Sequence, residues 1–231
     1  MIDDLSTMPE YHTREAGSGL PDGMLLVYKP AGPTSHDIVN AVRRKTGVKR
    51  VGHAGTLDPF ASGLLIVLVG REATKRQSEF LTMDKTYEAV IRLGATSTTD
   101  DRTGHTSPSQ VCQYIDTNLI EQAVASFVGS YEQYPPQFSA KKIKGTPAYK
   151  FARAGKAVEL KPKKVTSHSI EILSYEWPIL SVRMTVSSGT YIRAFARDLG
   201  AKLDCGGYVE ELKRTAIGPY SLENATSIDL L

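Results

Sequence analysis

The sequence has few cysteines and no long apolar run, and both shortages narrow what the chain can be. Its two cysteines, Cys112 and Cys205, lie far apart and match no zinc-ligand spacing. We therefore expect reduced thiols in a cytoplasmic protein, without a disulfide framework or a metal site. No apolar stretch reaches the roughly 18 residues that a membrane-spanning helix needs, and we expect neither a signal peptide nor a membrane partner.

Positive and negative charges are nearly balanced. The chain has 28 Lys and Arg residues and 25 Asp and Glu residues, which gives a net charge of +3. A mildly basic chain permits a nucleic-acid partner without requiring one. A chain of 231 residues can form one large domain or two small ones. No internal repeat is visible, so a solenoid or a propeller is not expected.

The stretch Val51–Gly70 joins a polar loop to an apolar run. Its glycines and Pro59 predict an irregular loop, because glycine tolerates positive φ and proline fixes its own φ. Leu64–Val69 predicts a buried strand. From these residues alone Asp58 has two interpretations. It is either a turn residue bonded to its own backbone or a functional group on a loop that a rigid strand holds in place.

Local patterns elsewhere predict a series of helices and strands. Thr34 or Ser35 is a good N-cap for a helix that ends near Gly47. The other predictions are strands over Gly23–Tyr28, Tyr87–Gly94, Val165–Tyr175 and Leu180–Ser187, helices over Glu72–Leu81 and Thr190–Leu203, and a helix that starts with a capping box at Asn118 and Glu121.

The segment GHAGTLDPFASGLL resembles the catalytic loop of the TruB-type tRNA pseudouridine synthases, the family that includes dyskerin. The resemblance runs from about Gly23 to Tyr220 and extends to KPAGPTSHD, PPQFSAKKIKG, SSGTYIRAFARDLG and YVEELKRTAI. It implies the pseudouridine synthase fold, an α/β (α+β) domain whose mixed, largely antiparallel sheet is flanked by helices, with a basic thumb insertion. The catalytic cleft would cross the middle of the sheet.

The resemblance also implies which residues form the site. The family's catalytic Asp aligns with Asp58, its Tyr over the target base with Tyr87, and its Arg with Arg193, which would orient and ionise Asp58. Tyr87 would stack on the base or act as a general base. The implied substrate-binding residues are Lys29, His53, Asp101, Lys141, Lys142, Tyr191, Leu212 and Arg214.

Several of these assignments keep an alternative. His53 would fill the space left by the flipped uridine, or it is bonded within its own loop. Lys29 lies near the catalytic loop, or it is a solvated turn residue. Asp101 would contact either the catalytic Arg or the RNA. Leu212 would pack beside the uracil, and Arg214 would lie near the RNA.

The chemistry suits these residue types. Forming pseudouridine breaks the N1–C1′ bond, turns the uracil and joins C5 to C1′, with no change in oxidation state, so no cofactor is expected. A carboxylate can act as a nucleophile or stabilise a cationic ribose. Glycoside hydrolysis commonly uses two carboxylates, whereas an isomerase that must recapture the base avoids activating water. The target uridine must also leave its stack, which costs a few kcal/mol.

The resemblance organises the chain into residues 1–22 as a flexible extension, 23–220 as the catalytic domain with its thumb at about 131–164, and 221–231 as a tail. That tail is too short for the RNA-binding PUA domain that family members often carry. The predicted function is isomerisation of the T-loop uridine at tRNA position 55, by a monomer that binds the T-arm. The alternatives are a non-catalytic RNA-binding or tRNA-folding module, and a synthase acting on another RNA.

Basic and aromatic residues alternate in the thumb. The basic residues are Lys141, Lys142, Lys144, Lys150, Arg153 and Lys156, and the aromatic ones are Phe138, Tyr149 and Phe151. A solvated basic loop would have such a composition, but so would a segment that binds phosphates and stacks on bases. The second interpretation agrees with the resemblance.

Neutralising Lys141, Lys142 and Lys144 together to glutamine should weaken tRNA binding and flatten its salt dependence. Each lost phosphate contact removes about one unit from the slope of log K against log salt concentration. Binding titrations at several salt concentrations measure that slope. An unchanged slope would exclude direct phosphate contact by these lysines.

Overall fold

The computed structural model describes residues 23–109, 114–139, 142–143, 146–148, 151 and 160–230. These residues form two compact units. The first contains the described residues as far as Leu81 and those from Arg214 onward, and the second is Thr82–Lys213. Both units combine helices with mostly antiparallel strands, so the predicted α/β class with a largely antiparallel sheet is confirmed. No helix among the described residues has the length and apolar character to cross a membrane.

The elements follow one another in this order: β1 (Met24–Lys29), α1 (Ser35–Thr46), β2 (Val51–His53), β3 (Ser62–Val69), α2 (Arg71–Lys75), α3 (Gln77–Leu81), β4 (Lys85–Leu93), β5 (Ala95–Ser97), β6 (Thr106–Pro108), α4 (Thr117–Ala125), β7 (Gly129–Gln133), β8 (Lys142–Ile143), β9 (Thr146–Pro147), β10 (Lys163–Glu176), β11 (Ile179–Val186), α5 (Ile192–Lys202), β12 (Gly207–Ile217), β13 (Tyr220–Ser221) and β14 (Thr226–Ser227). Two short 3-10 helices, Leu222–Asn224 and Ile228–Leu230, flank β14.

The first unit is built on the pair β1 and β3. They run antiparallel from Met24 opposite Leu68 to Lys29 opposite Gly63. β2 pairs with the far side of β3, and β14 lies parallel to β1. All six residues of Gly63–Leu68 are buried. The buried strand predicted over Leu64–Val69 is therefore confirmed except at Val69, which is half-buried. Side chains of β1 and β3 form a core with α1, because the apolar face of that helix covers them.

Helix α1 has the boundaries that its capping residues dictate. Thr34 and Asp37 form a capping box, in which each side chain satisfies the other residue's backbone N–H. Gly47 ends the helix in the left-handed conformation, with φ of 68°. The predicted N-cap and the predicted end of the helix are therefore confirmed.

Two local predictions were wrong. The predicted single helix over Glu72–Leu81 is two short helices, because the N–H of Arg76 bonds back to Ala73, three residues earlier, and the helical ladder stops there. The predicted capping box at Asn118 is also displaced. Asp116 is the N-cap and accepts the N–H of Asn118, which lies in the first turn of α4.

The second unit is organised around β4, β11 and β10, which are successive neighbours in an antiparallel sheet, with β7 beyond β10 and β12 on the other side of β4. The two strands predicted over Val165–Tyr175 and Leu180–Ser187 are β10 and β11, and they pair antiparallel. Helix α5 buries Ile192, Phe195 and Leu199, and Phe195 meets Phe127 edge to face at 5.2 Å.

Gly63 occupies a position that tolerates no side chain. Its φ is +113°, and a Cβ there would run into the backbone of Arg214. Gly70 has a similar φ of +92°, but open space surrounds its missing Cβ. A side chain at either glycine would strain the backbone, because both have positive φ. Only a side chain at Gly63 would also clash with other atoms.

Gly63→Ala should destabilise the protein more than Gly70→Ala does, by about 1–3 kcal/mol, because only the first substitution forces two backbone segments apart. Urea unfolding followed by circular dichroism measures both free energies of unfolding. Equal unfolding midpoints for the two variants would show that the β3 backbone yields to a Cβ at residue 63.

Candidate active site

Asp58 lies on a short turn between β2 and β3. Its backbone oxygen accepts the N–H of Ala61 at 3.1 Å, and the neighbouring Pro59 oxygen accepts the N–H of Gly32 at 2.8 Å. On the other side, the N–H of Ala54 bonds to Ile66 of β3 at 2.9 Å. Asp58 as a whole residue is half-buried. The loop is thus bonded to the largely buried strand β3 through Ala54, and to the segment after β1 through Pro59.

Lys29, the last residue of β1, is completely buried beneath this turn. Its ammonium group donates to the main-chain oxygens of Pro30 at 2.9 Å, Pro59 at 3.3 Å and Ala61 at 2.6 Å. An ammonium group has three hydrogens, so these bonds use all of them. Two of the three acceptors lie within three residues of Asp58, and Lys29 therefore holds the backbone that carries the carboxylate.

Arg214 holds the same loop from β12. Only 1% of the residue is exposed. Its Nε donates to Leu64 at 2.8 Å, while its two terminal nitrogens face the main-chain oxygens of Gly55 at 3.1 Å and Thr56 at 3.5 Å. The sequence predicted Arg214 near the RNA. In the structure the side chain is enclosed and its donors point to loop carbonyls; the position near the RNA stays a prediction.

A serine that the sequence offered as an N-cap completes the support of the loop. Ser35 Oγ accepts the N–H of Leu57 at 2.9 Å and donates to the Leu57 oxygen at 3.1 Å, which secures the residue immediately before Asp58 to the start of α1. Sequence reasoning missed this role because the bond joins residues 22 positions apart.

Burial lowers the pKa of the Lys29 ammonium from its ordinary 10.5 to about 8. The nearby Asp58 carboxylate opposes that change and the nearby Arg214 guanidinium reinforces it, each to a smaller extent than burial. The three side chains are therefore one electrostatic group, in which the carboxylate and two buried cations lie close enough to affect each other.

His53 ends β2 and leads into the same loop. Its main-chain oxygen accepts a hydrogen bond from Gln77 at 2.6 Å, while its buried Nδ1 has no hydrogen-bond partner among the described residues. Burial, and then the charges of Arg214 and His36, lower the pKa of the imidazole. The ring is therefore neutral near pH 7, and Nδ1 gives no support to the alternative of a histidine bonded within its own loop.

The second unit assembles a different cluster around Arg193, which is 4% exposed. The guanidinium donates to the main-chain oxygens of Thr99 and Phe138, both at 2.9 Å, and lies 3.4 Å from a carboxylate oxygen of Asp101. The other carboxylate oxygen of Asp101 accepts from the backbone N–H of Thr103 at 2.9 Å. Of the two partners considered for Asp101, the structure shows the arginine.

The remaining predicted residues also fall in the second unit. Tyr87 lies on β4 opposite Met184 and is half-buried, as is Tyr191, the N-cap residue of α5. Leu212 is buried on β12. Lys141 lies outside the described residues, as does much of the predicted thumb, and Lys142 is described only as part of β8.

A cavity of about 350 Å³ lies beside the Arg193 cluster. Arg197, one helical turn after Arg193, reaches its wall and pairs with Asp100 at 3.1 Å. Burial raises the pKa of Asp100 despite that arginine, and the residue adopts a positive φ of 59°. Sequence reasoning missed Asp100 and Arg197. Among the described residues no group of three or more His, Cys, Asp or Glu side chains could hold a metal ion.

The chain is similar in sequence to the TruB family of pseudouridylate synthases. The family model for the N-terminal domain of TruB family pseudouridylate synthases matches residues 43–192, and the model for the tRNA pseudouridylate synthase B C-terminal domain matches 193–231. The tRNA pseudouridine synthase B of Thermobifida fusca is 45% identical over 220 residues, which are 92% of this chain and 75% of that protein. The protein of the same name from Protochlamydia amoebophila is 45% identical over 204 residues, 88% of this chain and 77% of that protein.

Among solved structures, a chain of a Cbf5–Nop10–Gar1 complex superposes with a TM-score of 0.70 at 28% identity. That match covers 90% of this chain and 54% of the other, so the present chain spans about half the length of that structural relative.

Replacing Asp58 with asparagine should lower the pKa of Lys29 further below its value of about 8, because the carboxylate is the group that raises it. Nuclear magnetic resonance titration of the lysine side-chain signals measures this pKa directly. The matched control is Asp229→Asn, an exposed position in the same unit, which should leave the titration unchanged. A Lys29 pKa that does not respond to Asp58→Asn would show that the two side chains do not interact electrostatically.

Proposed function

We propose, on the premise that this chain belongs to the TruB family of pseudouridylate synthases, that it converts the uridine at position 55 in the T loop of tRNA to pseudouridine. The enzyme isomerises uridine in tRNA, as its relatives named tRNA pseudouridine synthase B indicate. The observation that carries the catalytic part of the proposal is the way in which the loop of Asp58 is held. Its carboxylate stands on a turn whose backbone is held by a buried lysine and a buried arginine.

Asp58 supplies the chemistry in this proposal. The N1–C1′ bond of the uridine breaks and its electron pair goes to N1, which takes up a proton. The uracil turns within the site, C5 bonds to C1′, and the hydrogen on C5 leaves as a proton, so that the product is an isomer of the substrate. The carboxylate either adds to the nucleoside as a nucleophile and departs again, or stabilises positive charge on the ribose. Both routes need a carboxylate held in a fixed position, because misplacing a reacting group by about 1 Å can cost 10²-fold in rate.

Lys29 and Arg214 act as positioning residues for Asp58. Neither is exposed enough to contact RNA in the described structure, and both bond the loop through main-chain oxygens. The buried Lys29 ammonium also interacts electrostatically with the Asp58 carboxylate.

The roles of the other residues follow the family motif. Arg193 and Tyr87 complete the catalytic set, and Asp101 orients Arg193 through their ion pair. His53 occupies the space that the flipped uridine leaves, for which a flat and neutral imidazole is suited. Leu212 packs beside the uracil. Tyr191 belongs to the same motif as Arg193 and contributes to substrate binding.

The T-arm of tRNA is the proposed partner, bound by a monomer in the cytoplasm, where its substrate is. Lys141 and Lys142 bind its phosphates in this proposal. Base flipping removes the target uridine from the stack before any bond breaks. The reaction has no redox step, so the proposal requires no cofactor.

Asp58→Asn should abolish turnover while leaving tRNA binding within about twofold of the unmodified protein, since the side chain keeps its size and loses only its charge. We expect the single-turnover rate to fall by at least about 10³-fold. Release of tritium from C5-labelled tRNA transcripts follows the reaction.

Two controls define the result. Asp229→Asn should be as active as the unmodified protein, and a transcript with cytidine at position 55 should release no tritium above background. Substantial activity in the Asp58→Asn variant would refute the catalytic role, and activity on the cytidine transcript would refute the choice of position 55.

A further inference from the structure

The side chain of Gln133 is engaged with the main chain at the start of α5. Gln133 ends β7 and is 1% exposed. Its Oε1 accepts the N–H of Tyr191 at 2.9 Å, and its Nε2 donates to the oxygen of the same residue at 3.1 Å. One amide group thus satisfies both hydrogen-bonding groups of one residue, as a neighbouring strand would.

Tyr191 is the N-cap of α5, and its own side chain makes no capping hydrogen bond to the helix. Its oxygen also accepts the first helical hydrogen bond, from Phe195 at 3.1 Å. Helix N-termini leave donors without partners and need an external group to hold them. Gln133 provides that group here, and it does so at Tyr191, which lies two residues before Arg193 in the sequence.

The segment that follows Gln133 continues the attachment along the helix. The oxygen of Phe138 accepts from Arg193 at 2.9 Å, and the oxygen of Tyr134 accepts from Arg197 at 2.8 Å. Each arginine makes a second contact on the turn at Thr99–Asp101. The segment Gln133–Phe138 therefore contacts both guanidinium groups through its main-chain oxygens. Gln133 adds a side-chain contact from the same segment to the helix backbone.

We propose that Gln133 is a positioning residue for the pseudouridine reaction: its amide clamps the main chain of Tyr191 and so sets where the Arg193 guanidinium lies. This inference rests on the proposed function. Arg193 points away from bulk solvent and its bonds are directional, so a displaced helix start displaces the guanidinium with it. A guanidinium offers a rigid fork of donors, which makes its action sensitive to such displacement.

Gln133→Met keeps the length of the side chain and removes both hydrogen bonds. We expect the single-turnover rate at saturating tRNA to fall by about 10- to 100-fold, with the tRNA dissociation constant within twofold of the unmodified protein. Gln122→Met, at an exposed position of α4, should change neither quantity. A loss of binding in place of the loss of rate would overturn the proposal.

A double-mutant cycle tests whether Gln133 acts through Arg193. With Arg193→Lys already present, adding Gln133→Met should lower the rate by less than threefold, because the guanidinium that it positions is gone. A further loss as large as in the unmodified background would show that Gln133 works independently of Arg193, and the proposal would fall.

Gln133→Glu provides a second variant of nearly the same size. When protonated, the introduced carboxyl can accept from the Tyr191 N–H and donate to its oxygen, as the amide does. When ionised, it can only accept. Its neighbours include the Tyr131 hydroxyl, 3.4 Å from the present Nε2, and the backbone of Lys163, which pairs with residue 133. The Asp198 carboxylate acts electrostatically on that tyrosine, and a negative charge nearby favours the protonated form of an introduced carboxyl. Burial raises the pKa of Tyr131, so that hydroxyl stays neutral.

The activity of Gln133→Glu relative to the unmodified protein should therefore rise as the pH falls, while the relative activity of Gln133→Met stays constant. A constant ratio for both variants would contradict the clamp. If Gln133→Met does not fold, as judged by circular dichroism, this pH profile decides the question.

Hydrogen exchange separates this proposal from the proposed function. The amide proton of Tyr191 should exchange at least about tenfold faster in Gln133→Met than in the unmodified protein, with no RNA present. Unchanged exchange overturns the clamp even if the enzyme is active. An unmodified protein that makes no pseudouridine in tRNA refutes the proposed function and with it the positioning role, whatever the exchange rates show.

Discussion

Buried cations that require main-chain acceptors are the constraint on which the functional parts of this protein depend. Lys29, Arg193 and Arg214 are each at most 4% exposed, and removing such charges from water is costly unless they are fully hydrogen-bonded. In each case carbonyl oxygens of irregular segments supply the bonds. The cations thereby give fixed positions to loops that have no regular secondary structure of their own.

In the first unit this constraint acts on the loop that carries Asp58. A carboxylate on an unsupported turn would vary in position, whereas the proposed reaction needs a carboxylate in a fixed position. Lys29 and Arg214 reach the loop from two different strands, and Ser35 reaches it from a helix. Because Lys29 is also coupled to Asp58 by charge, the same residues that fix the backbone shape the electrostatic surroundings of the carboxylate.

In the second unit the arginines of α5 connect two segments that are distant in the chain. Arg193 and Arg197 are four residues apart and therefore lie on one face of the helix. Each bonds to the turn around Thr99–Asp101 and to the segment Gln133–Phe138. The cavity beside them is lined by residues of both segments, so its shape depends on the same bonds.

The sequence by itself determined the local features whose causes are local. The capping box at Thr34, the left-handed glycine at residue 47 and the buried run of β3 follow from neighbouring residues. Asp58 was singled out only by the resemblance of its GTLDP motif, because the local residues left two interpretations open. Only the tertiary structure decided where the buried cations find their acceptors. Arg214 and Gly55 are 159 positions apart, and Gln133 and Tyr191 are 58 apart. Their bonds end on main-chain atoms, which every residue possesses, and so leave no mark in the sequence.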